Sequence, residues 1–373
     1  MSNGEDQSLL ERIEFPSIPV EAQSKIALLQ DEFIRAEVEQ LRASVPLLTP
    51  LFKKRNEIIN HPEVKGDFWI RVFSSAPEEI DEHILPTDAA ILGAALKNMN
   101  VERFEVNEKG EGEPRSLRFT FDFQTGEENP FFENEKLVKE FYWRKQITRT
   151  PKGKRRVWEG LVSEPVRINW KKDMDVTKGL LNATCDLFEA EKKKSGPRTQ
   201  LPEFEALVSK ISELEAEAEG HDEDEDEEDE EAMGPIGISF FNWFGYRGRD
   251  VTAEQAKEAA KEDEERWAKI AKGEKVEDDD EDEDDDEDDD EDDFYFEESE
   301  AFASGEELAI AIAEDLWTDA MKYYVASFEM GEDLEDLDME ELEADMMEEM
   351  DEDEDDDNSS ADEQSHPRKK VRT

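Results

Sequence analysis

Carboxylates are where this sequence concentrates its chemistry. Residues 222–231 are ten acids without interruption, residues 277–293 are seventeen, and residues 332–357 carry eighteen acids among twenty-six positions. No Lys or Arg falls inside these tracts, so they hold 45 acids and no base. The other 320 residues carry 60 acids and 45 bases, a net of −15 within the −60 of the whole 373-residue chain. Outside the tracts the charge is therefore ordinary for a folded protein. An extended chain advances about 3.4 Å per residue, which makes the seventeen-residue run a line of charge about 55 Å long. Unit charges in water reach thermal energy at about 7 Å, and neighbours in the run lie closer than that. Counterions gather on such a line and are released when a polycation binds, as they are from DNA. Duplex DNA places one charge per about 1.7 Å, roughly twice the density of the tract. A ribbon of this kind shields a DNA-binding cation from chance contacts and still yields it to DNA. A plain solvating segment that prevents aggregation fits an acid run taken alone equally well.

Other chemistry is sparse. The four histidines, His61, His83, His221 and His366, lie in four separate regions, whereas acid–base catalysis needs convergent groups. No phosphate loop, nucleophile elbow or zinc spacing is present, so no catalytic residue, cofactor or metal site is expected. The acid runs lack the glycine-punctuated spacing of a calcium cage. Cys185 is the one cysteine, which excludes an intramolecular disulfide and fits a reducing compartment. The acidic N-terminus and the lack of any long apolar run lead us to expect a soluble protein that is neither secreted nor membrane-bound, so the glycosylation-type triplets at Asn182 and Asn358 should stay unmodified. Strong negative charge repels nucleic acid and anionic lipid, so the expected partner is basic. Lys369, Lys370 and Arg372, around Val371, fit a nuclear import motif. Lys152, Lys154, Arg155 and Arg156 make a second basic group, either a signal, a docking point or a solvated turn. Ser359 and Ser360 each precede an acid by three residues, which suits acidophilic kinases.

These groups need elements to hold them. Ile34, Val38, Leu41, Val45, Leu48 and Phe52 recur at alternating steps of four and three, a heptad seam within one long helix over residues 19–60. That seam could pack on the chain's own domain or pair with a second copy. Pro46 and Pro50 oppose a straight rod. Asp67 and either Thr87 or Asp88 are candidate caps of two short helices. Strands are expected over residues 101–106, 117–123, 137–143, 157–161 and 166–170. Among them Leu117, Phe119, Phe121 and Phe123 alternate with Arg118, Thr120 and Asp122. Residues 171–235 read as a variable insertion with a Leu/Glu-rich helical stretch. Ser239 then caps the aromatic turn Phe240-Phe241-Asn242-Trp243-Phe244, and a charged helix follows near residues 252–272. Ser304 to Glu307 form a capping box before a helix carrying Leu308, Ile312, Leu316, Trp317, Met321 and Tyr324, expected to pack under the sheet.

Five blocks carry a resemblance. They are Thr49-Pro50-Leu51-Phe52-Lys53-Lys54-Arg55-Asn56-Glu57-Ile58-Ile59 followed by Asp67-Phe68-Trp69; residues 119–123 followed by Asn129-Pro130-Phe131-Phe132-Glu133-Asn134; residues 137–143; Ser239 to Phe244; and Glu314-Asp315-Leu316-Trp317 through Lys322-Tyr323-Tyr324. In this order, with an acidic tail, the chain resembles the nucleosome assembly protein family and especially its SET branch.

The resemblance implies an α+β fold: a long dimerisation helix followed by an earmuff domain of antiparallel sheet covered by helices, with disordered acidic tracts. It implies a disordered stretch over 1–18, the helix over 19–62, and the earmuff over 63–330 with acidic insertions at about 171–235 and 273–293. A disordered acidic tail with the import-type motif fills 331–373. It further implies a non-enzymatic homodimeric histone chaperone, nuclear with cytoplasmic shuttling, that binds core histones and promotes nucleosome assembly. On the matched segments Asp122, Glu127, Glu128, Glu133, Asp315 and Asp319 are the candidate histone contacts, and the heptad seam is the candidate dimer contact. The alternative it implies is a SET-like regulator of a phosphatase or histone acetyltransferase, acting on chromatin. The acid runs at 222–231 and 277–293 depart from the family's shorter connections, and Pro46 is an additional helix breaker.

Overall fold

The computed structural model describes residues 19–150, 153, 155–194, 196–219, 237–270, 272, 274 and 299–336. The first two acid runs, the last run beyond residue 336, residues 1–18, Lys152, Lys154, His221, Ser359, Ser360, His366 and the import motif lie outside the described residues.

The first helix, α1, runs over Val20–Ile59 for 40 residues, about 60 Å at about 1.5 Å per residue. It passes through both Pro46 and Pro50. Each proline removes an N–H and frees a carbonyl one turn back. In the same stretch the hydroxyls of Ser44 and Thr49 donate to the carbonyls of Leu41 and Val45 at 2.7 and 2.8 Å. Three short helices follow: α2 (Phe68–Ser74), α3 (Glu78–Asp81) and α4 (Pro86–Ala95). Asp67 stands before α2 as expected, but its carboxylate takes Arg71 instead of the helix backbone. Asp88 lies inside α4. One of its oxygens accepts the Leu85 N–H and the Phe240 N–H at 3.1 and 2.8 Å, and the other accepts the Ser239 hydroxyl. A single buried carboxylate thus joins α4 to the aromatic turn.

Four antiparallel strands, β1 (Leu96–Glu102), β2 (Leu117–Phe123), β3 (Lys136–Arg149) and β4 (Arg155–Ser163), form one sheet in the order β1-β2-β3-β4. Phe119 lies opposite Lys139 and Phe121 opposite Leu137, so their inward side chains share one face. On that face the rings of Phe119, Phe121 and Phe141 meet the 3-10 turn Phe240–Gly245, whose Phe240, Phe241, Trp243 and Phe244 are all buried, and Phe123 meets Phe132. The strand expected over 101–106 instead starts at Leu96 and ends at Glu102. Beyond it the chain turns away, and Arg103 donates to the Pro114 carbonyl at 2.7 Å. Residues 166–170 make no ladder strand. Val166 donates to the Phe244 carbonyl at 2.8 Å, and Trp170 bridges Phe132, so the aromatic turn takes the bonds a fifth strand would need.

Much of the stretch read as an insertion is ordered. Helix α5 (Leu180–Lys193) buries Leu181 and Cys185 in the main core, while its Leu180 and Leu187 pack on Phe204 and Leu207 of α6 (Pro202–Glu219). Helix α7 (Ala253–Ile270) lies against β3. The last helical stretch is broken: α8 (Gly305–Ala311) gives way to a π turn at Ile312–Leu316 and then to α9 (Ala320–Asp336). Trp317 donates to the Ile312 carbonyl at 2.8 Å, five residues back. The extra residue turns the following face by about 100°. Leu308, Ile312, Leu316 and Trp317 are buried as expected, whereas Met321 is 38% exposed.

Candidate functional site

The candidate acidic contacts fall on two surfaces. Asp122 is on the outer face of β2, where it accepts from Lys136 at 3.2 Å and from the Asn98 amide at 3.4 Å. Along the same face Arg118 donates to Glu140 at 2.6 Å and lies 3.7 Å from Glu102. Burial alone would raise the Glu140 carboxyl, but the Tyr142 hydroxyl and Arg118 hold it below the ordinary range. Burial and Glu140 in turn push Tyr142 up to about 12. This face is charged and largely self-compensated. Just past the end of β2 the picture changes. Glu127 and Glu128 are exposed on a 3-10 turn, and Glu133 is exposed beside the Phe132–Trp170 bridge. Lys171 crosses beneath that turn, donating to the carbonyls of Gly126 and Asn129, and so supports the backbone instead of neutralising the acids.

Asp315 and Asp319 belong to the second surface, on the π turn and just before α9. Asp315 accepts the Tyr323 hydroxyl at 2.7 Å, and burial together with that bond pushes Tyr323 up to about 12. Asp319 is exposed, with Lys322 at 3.9 Å. Glu314 reaches Arg103 at 2.9 Å. After them Glu329 is exposed on α9. The structure therefore does not gather the six candidates into one cluster; it sets four at the sheet end and two at the start of the last helix.

The heptad seam of α1 divides as well. Val38, Leu41 and Val45 are half-buried facing the chain's own sheet, and Phe52 lies 5.5 Å from the Trp317 ring, while Ile34 and Leu48 are exposed. Between α1 and the sheet run two adjoining cavities of about 560 and 550 Å³, lined by seam residues together with Arg103, Leu117 and Glu314. A second set of α1 residues, Ile26, Leu29, Phe33, Leu47, Leu51 and Ile58, points outward with 44–71% of its surface exposed. The helix is held at its middle by Arg35, which pairs with Asp263 of α7 at 3.0 Å and lies over the Trp267 ring, and by Arg42, which donates to the Gly112 carbonyl at 2.8 Å. Near its end the buried Arg55 stacks on Trp317 and donates to the carbonyl that the break after the π turn leaves free.

The described residues also fix where the acid runs attach. The first leaves at the end of α6 and returns before Gly237; the second leaves after α7 and returns before Ser299; the third continues from α9. Arg155, read in the basic group of the β3–β4 hairpin, is committed to α7, bonding Asp263 at 3.2 Å, and Lys145 joins the same carboxylate at 3.2 Å. Burial would raise Asp263, but Lys145, Arg35 and Arg155 hold it low.

Sequence reasoning missed Lys139 altogether. It is wholly buried, its ammonium donating to the carbonyls of Glu164, Phe244 and Tyr246 at 2.9, 3.1 and 2.7 Å, and burial lowers it from 10.5 to about 7. Its place in the inward phase of β3, between Leu137 and Phe141, was the available signal. Glu300 answers it electrostatically, itself half-buried and accepting the N–H groups of Arg247 and Gly248 at 3.0 and 2.9 Å. Of the histidines, His61 is exposed near Glu63 and His83 packs on the Phe302 ring. Among the described residues no group of His, Cys, Asp and Glu has the arrangement of a metal site, and no helix is long and apolar enough to cross a membrane.

The chain is similar to several known proteins. The family model described as nucleosome assembly protein (NAP) matches residues 60–327. A Schizosaccharomyces pombe protein named as a nucleosome assembly protein is 34% identical over 153 residues, 40% of this chain and 58% of that one. Protein SET of Drosophila melanogaster is 27% identical over 180 residues, 48% of this chain and 57% of its own length. The matches thus span somewhat over half the length of these relatives. Among solved structures, the crystal structure of Ccp1 is similar with a TM-score of 0.45 and 24% identity, covering 83% of this chain and 96% of that one.

Proposed function

From the premise that the chain belongs to the nucleosome assembly protein family, we propose that it is a histone chaperone that binds core histones through acidic surfaces and promotes nucleosome assembly without catalysis. One observation carries the reading: three acid tracts with 45 carboxylates and no base are rooted on a folded domain of that family. Polyanions of lower charge density than DNA hold basic cargo against stray contacts and release it to the duplex. The exposed Glu127, Glu128, Glu133 and Asp319 extend the anionic surface onto the folded part. Mixing the full chain with purified core histones at about 0.15 M ionic strength should give a stoichiometric complex, which removal of residues 337–373 weakens without abolishing. Failure of the full chain to retain histones under those conditions overturns the proposal.

The working unit in this reading is a homodimer joined through α1. The outward residues Ile26, Leu29, Phe33, Leu47, Leu51 and Ile58 supply the contact with the second copy, while Val38, Leu41 and Val45 stay against the chain's own sheet. Support comes from the exposed apolar surface on a helix whose own domain covers only one side. The mass in solution should be that of a dimer, and Leu47→Glu with Leu51→Glu should shift it toward the monomer. Localisation to the nucleus, with passage through the cytoplasm, belongs to the same proposal and rests on the import-type residues Lys369, Lys370 and Arg372.

A further inference from the structure

The pattern that Ser359 and Ser360 show, a hydroxyl with an acid three residues later, recurs in the folded part of the chain. Among the described residues four hydroxyls meet it: Ser75, Thr125, Ser212 and Ser304, with Glu78, Glu128, Glu215 and Glu307 downstream. Their settings differ. The Ser75 oxygen is enclosed, Ser212 lies inside α6, whose helix would have to unwind, and Ser304 is half-buried at the start of α8. Of the four, Thr125 alone is exposed and lies outside every helix and strand. Its backbone is extended, with φ −132° and ψ 164°, its side chain makes no capping bond to the 3-10 turn Gly126–Glu128 that follows, and Gly126 stands at φ +68°. A protein kinase needs its target hydroxyl on an accessible segment, and a loop tip supplies one.

The loop between β2 and β3 is tied at its base. There the buried Asn129 donates to the Gln124 carbonyl at 3.1 Å and accepts the N–H groups of Phe131 and Phe132 at 3.0 and 3.3 Å, while Lys171 donates to the Gly126 carbonyl at 2.9 Å. Between these ties residues 125–128 are all exposed. Glu127 and Glu128, two and three positions after the hydroxyl, are the charges an acidophilic kinase reads, and they are also candidate histone contacts. We propose that Thr125 is a phosphorylation site for an acidophilic serine/threonine kinase, and that its modification strengthens the hold of the β2–β3 loop on basic cargo. The kinase transfers the γ-phosphoryl group of ATP to the Thr125 Oγ1. A new P–O bond forms there as the bond from the γ-phosphorus to the β–γ bridging oxygen breaks, ADP leaves with that electron pair, and the hydroxyl proton passes to the catalytic base of the kinase. Phosphothreonine carries about −1.5 to −2 at neutral pH, which about doubles the charge of Glu127 and Glu128, and its oxygens accept paired bonds from arginine. The effect on cargo rests on the histone-chaperone reading; the modification itself does not.

The test treats the full-length protein with an acidophilic kinase and ATP. Mass spectrometry of its peptides locates the phosphate, since Ser359 and Ser360 are open to the same reaction. Thr125 should carry phosphate in the folded chain. The treated protein should then bind core histones about threefold tighter than its equally treated Thr125→Ala variant at about 0.15 M ionic strength. Before treatment the two should bind alike and melt at the same temperature. Thr125→Ser, which keeps the hydroxyl, should behave as the parent chain. A Thr125 left unmodified while Ser359 or Ser360 takes phosphate overturns the proposal. Phosphate at Thr125 with histone affinity equal to that of the Ala variant also overturns it. If Thr125 takes phosphate but histones are retained neither before nor after treatment, the assignment of the site stands and the chaperone reading fails.

Discussion

The outer face of the sheet and the last helix are both rich in charge, yet they differ in what that charge can do. On the sheet's outer face Asp122 has Lys136 and Glu140 has Arg118. Even the interior of β3 follows the rule, since the Lys139 ammonium is met by three carbonyls. At the start of the last helix Asp319 and Glu329 are exposed, with Lys322 no nearer than 3.9 Å to Asp319, and the sequence then enters its last acid tract. A carboxylate already held by a cation offers little to an incoming base, because exposed pairs contribute only about 0–1 kcal/mol and exchange partners with little gain. Surplus charge keeps its long-range attraction for a basic partner.

The contrast can be broken at several points. The largest effect should come from replacing the acids of residues 277–293 and 337–357 by serine. Histone affinity should fall about 100-fold and the salt dependence should flatten, because fewer counterions exchange on binding. A complete loss would show that the folded surfaces contribute nothing.

Next in size is Lys139→Met, which leaves three buried carbonyls without a donor and should cost about 2 kcal/mol of stability in urea unfolding at neutral pH. Its pH dependence has a definite sign. Burial lowers Lys139 from 10.5 to about 7, so between those values the unfolded chain holds a proton that the folded chain has released. Stability therefore rises with pH across that window, and below it the burial penalty is present in full. Cys185, raised by burial from 9 to about 11, acts in the opposite direction between those values. From pH 7 to 9 the Met variant should lack the rise seen in the parent chain.

A smaller effect belongs to Asp315→Asn, Asp319→Asn and Glu329→Gln together, about fivefold in histone affinity by titration. The smallest is Asp122→Asn, which should change affinity less than about twofold, since Lys136 already offsets that carboxylate. If Asp122→Asn matched the triple variant, the distinction between compensated and surplus acids would be lost.

Legibility followed the strength of local pattern. Phe119, Phe121 and Phe123 alternate without interruption, and the sheet uses them as the pattern requires. Ser239 and the aromatic residues after it had to bury their rings, and they close the core. The seam from Ile34 to Phe52 identified α1 as a helix, but helical spacing does not say which body covers a face, and the sheet covers part of this one. The start of β1 was obscured because Leu96 continues the apolar run of α4. Residues 166–170 look like a strand, but whether a ladder forms depends on a neighbour more than 70 positions later in the chain, around Phe244 and Phe241. The π turn leaves no sequence mark at all. Of the six candidate acids, residue type and position near a strand end identified exposure for Glu127, Glu128 and Glu133. They could not reveal that Lys136 sits on Asp122 or that Tyr323 bonds Asp315, because those partners are set by register and by helix phase.

The central claim is that dense, uncompensated anionic surface holds basic cargo by counterion exchange. Its most direct test is histone affinity measured across about 0.1 to 1 M sodium chloride. A polyelectrolyte mechanism requires log affinity to fall linearly and steeply with log salt. An affinity that stayed level over that range would contradict it.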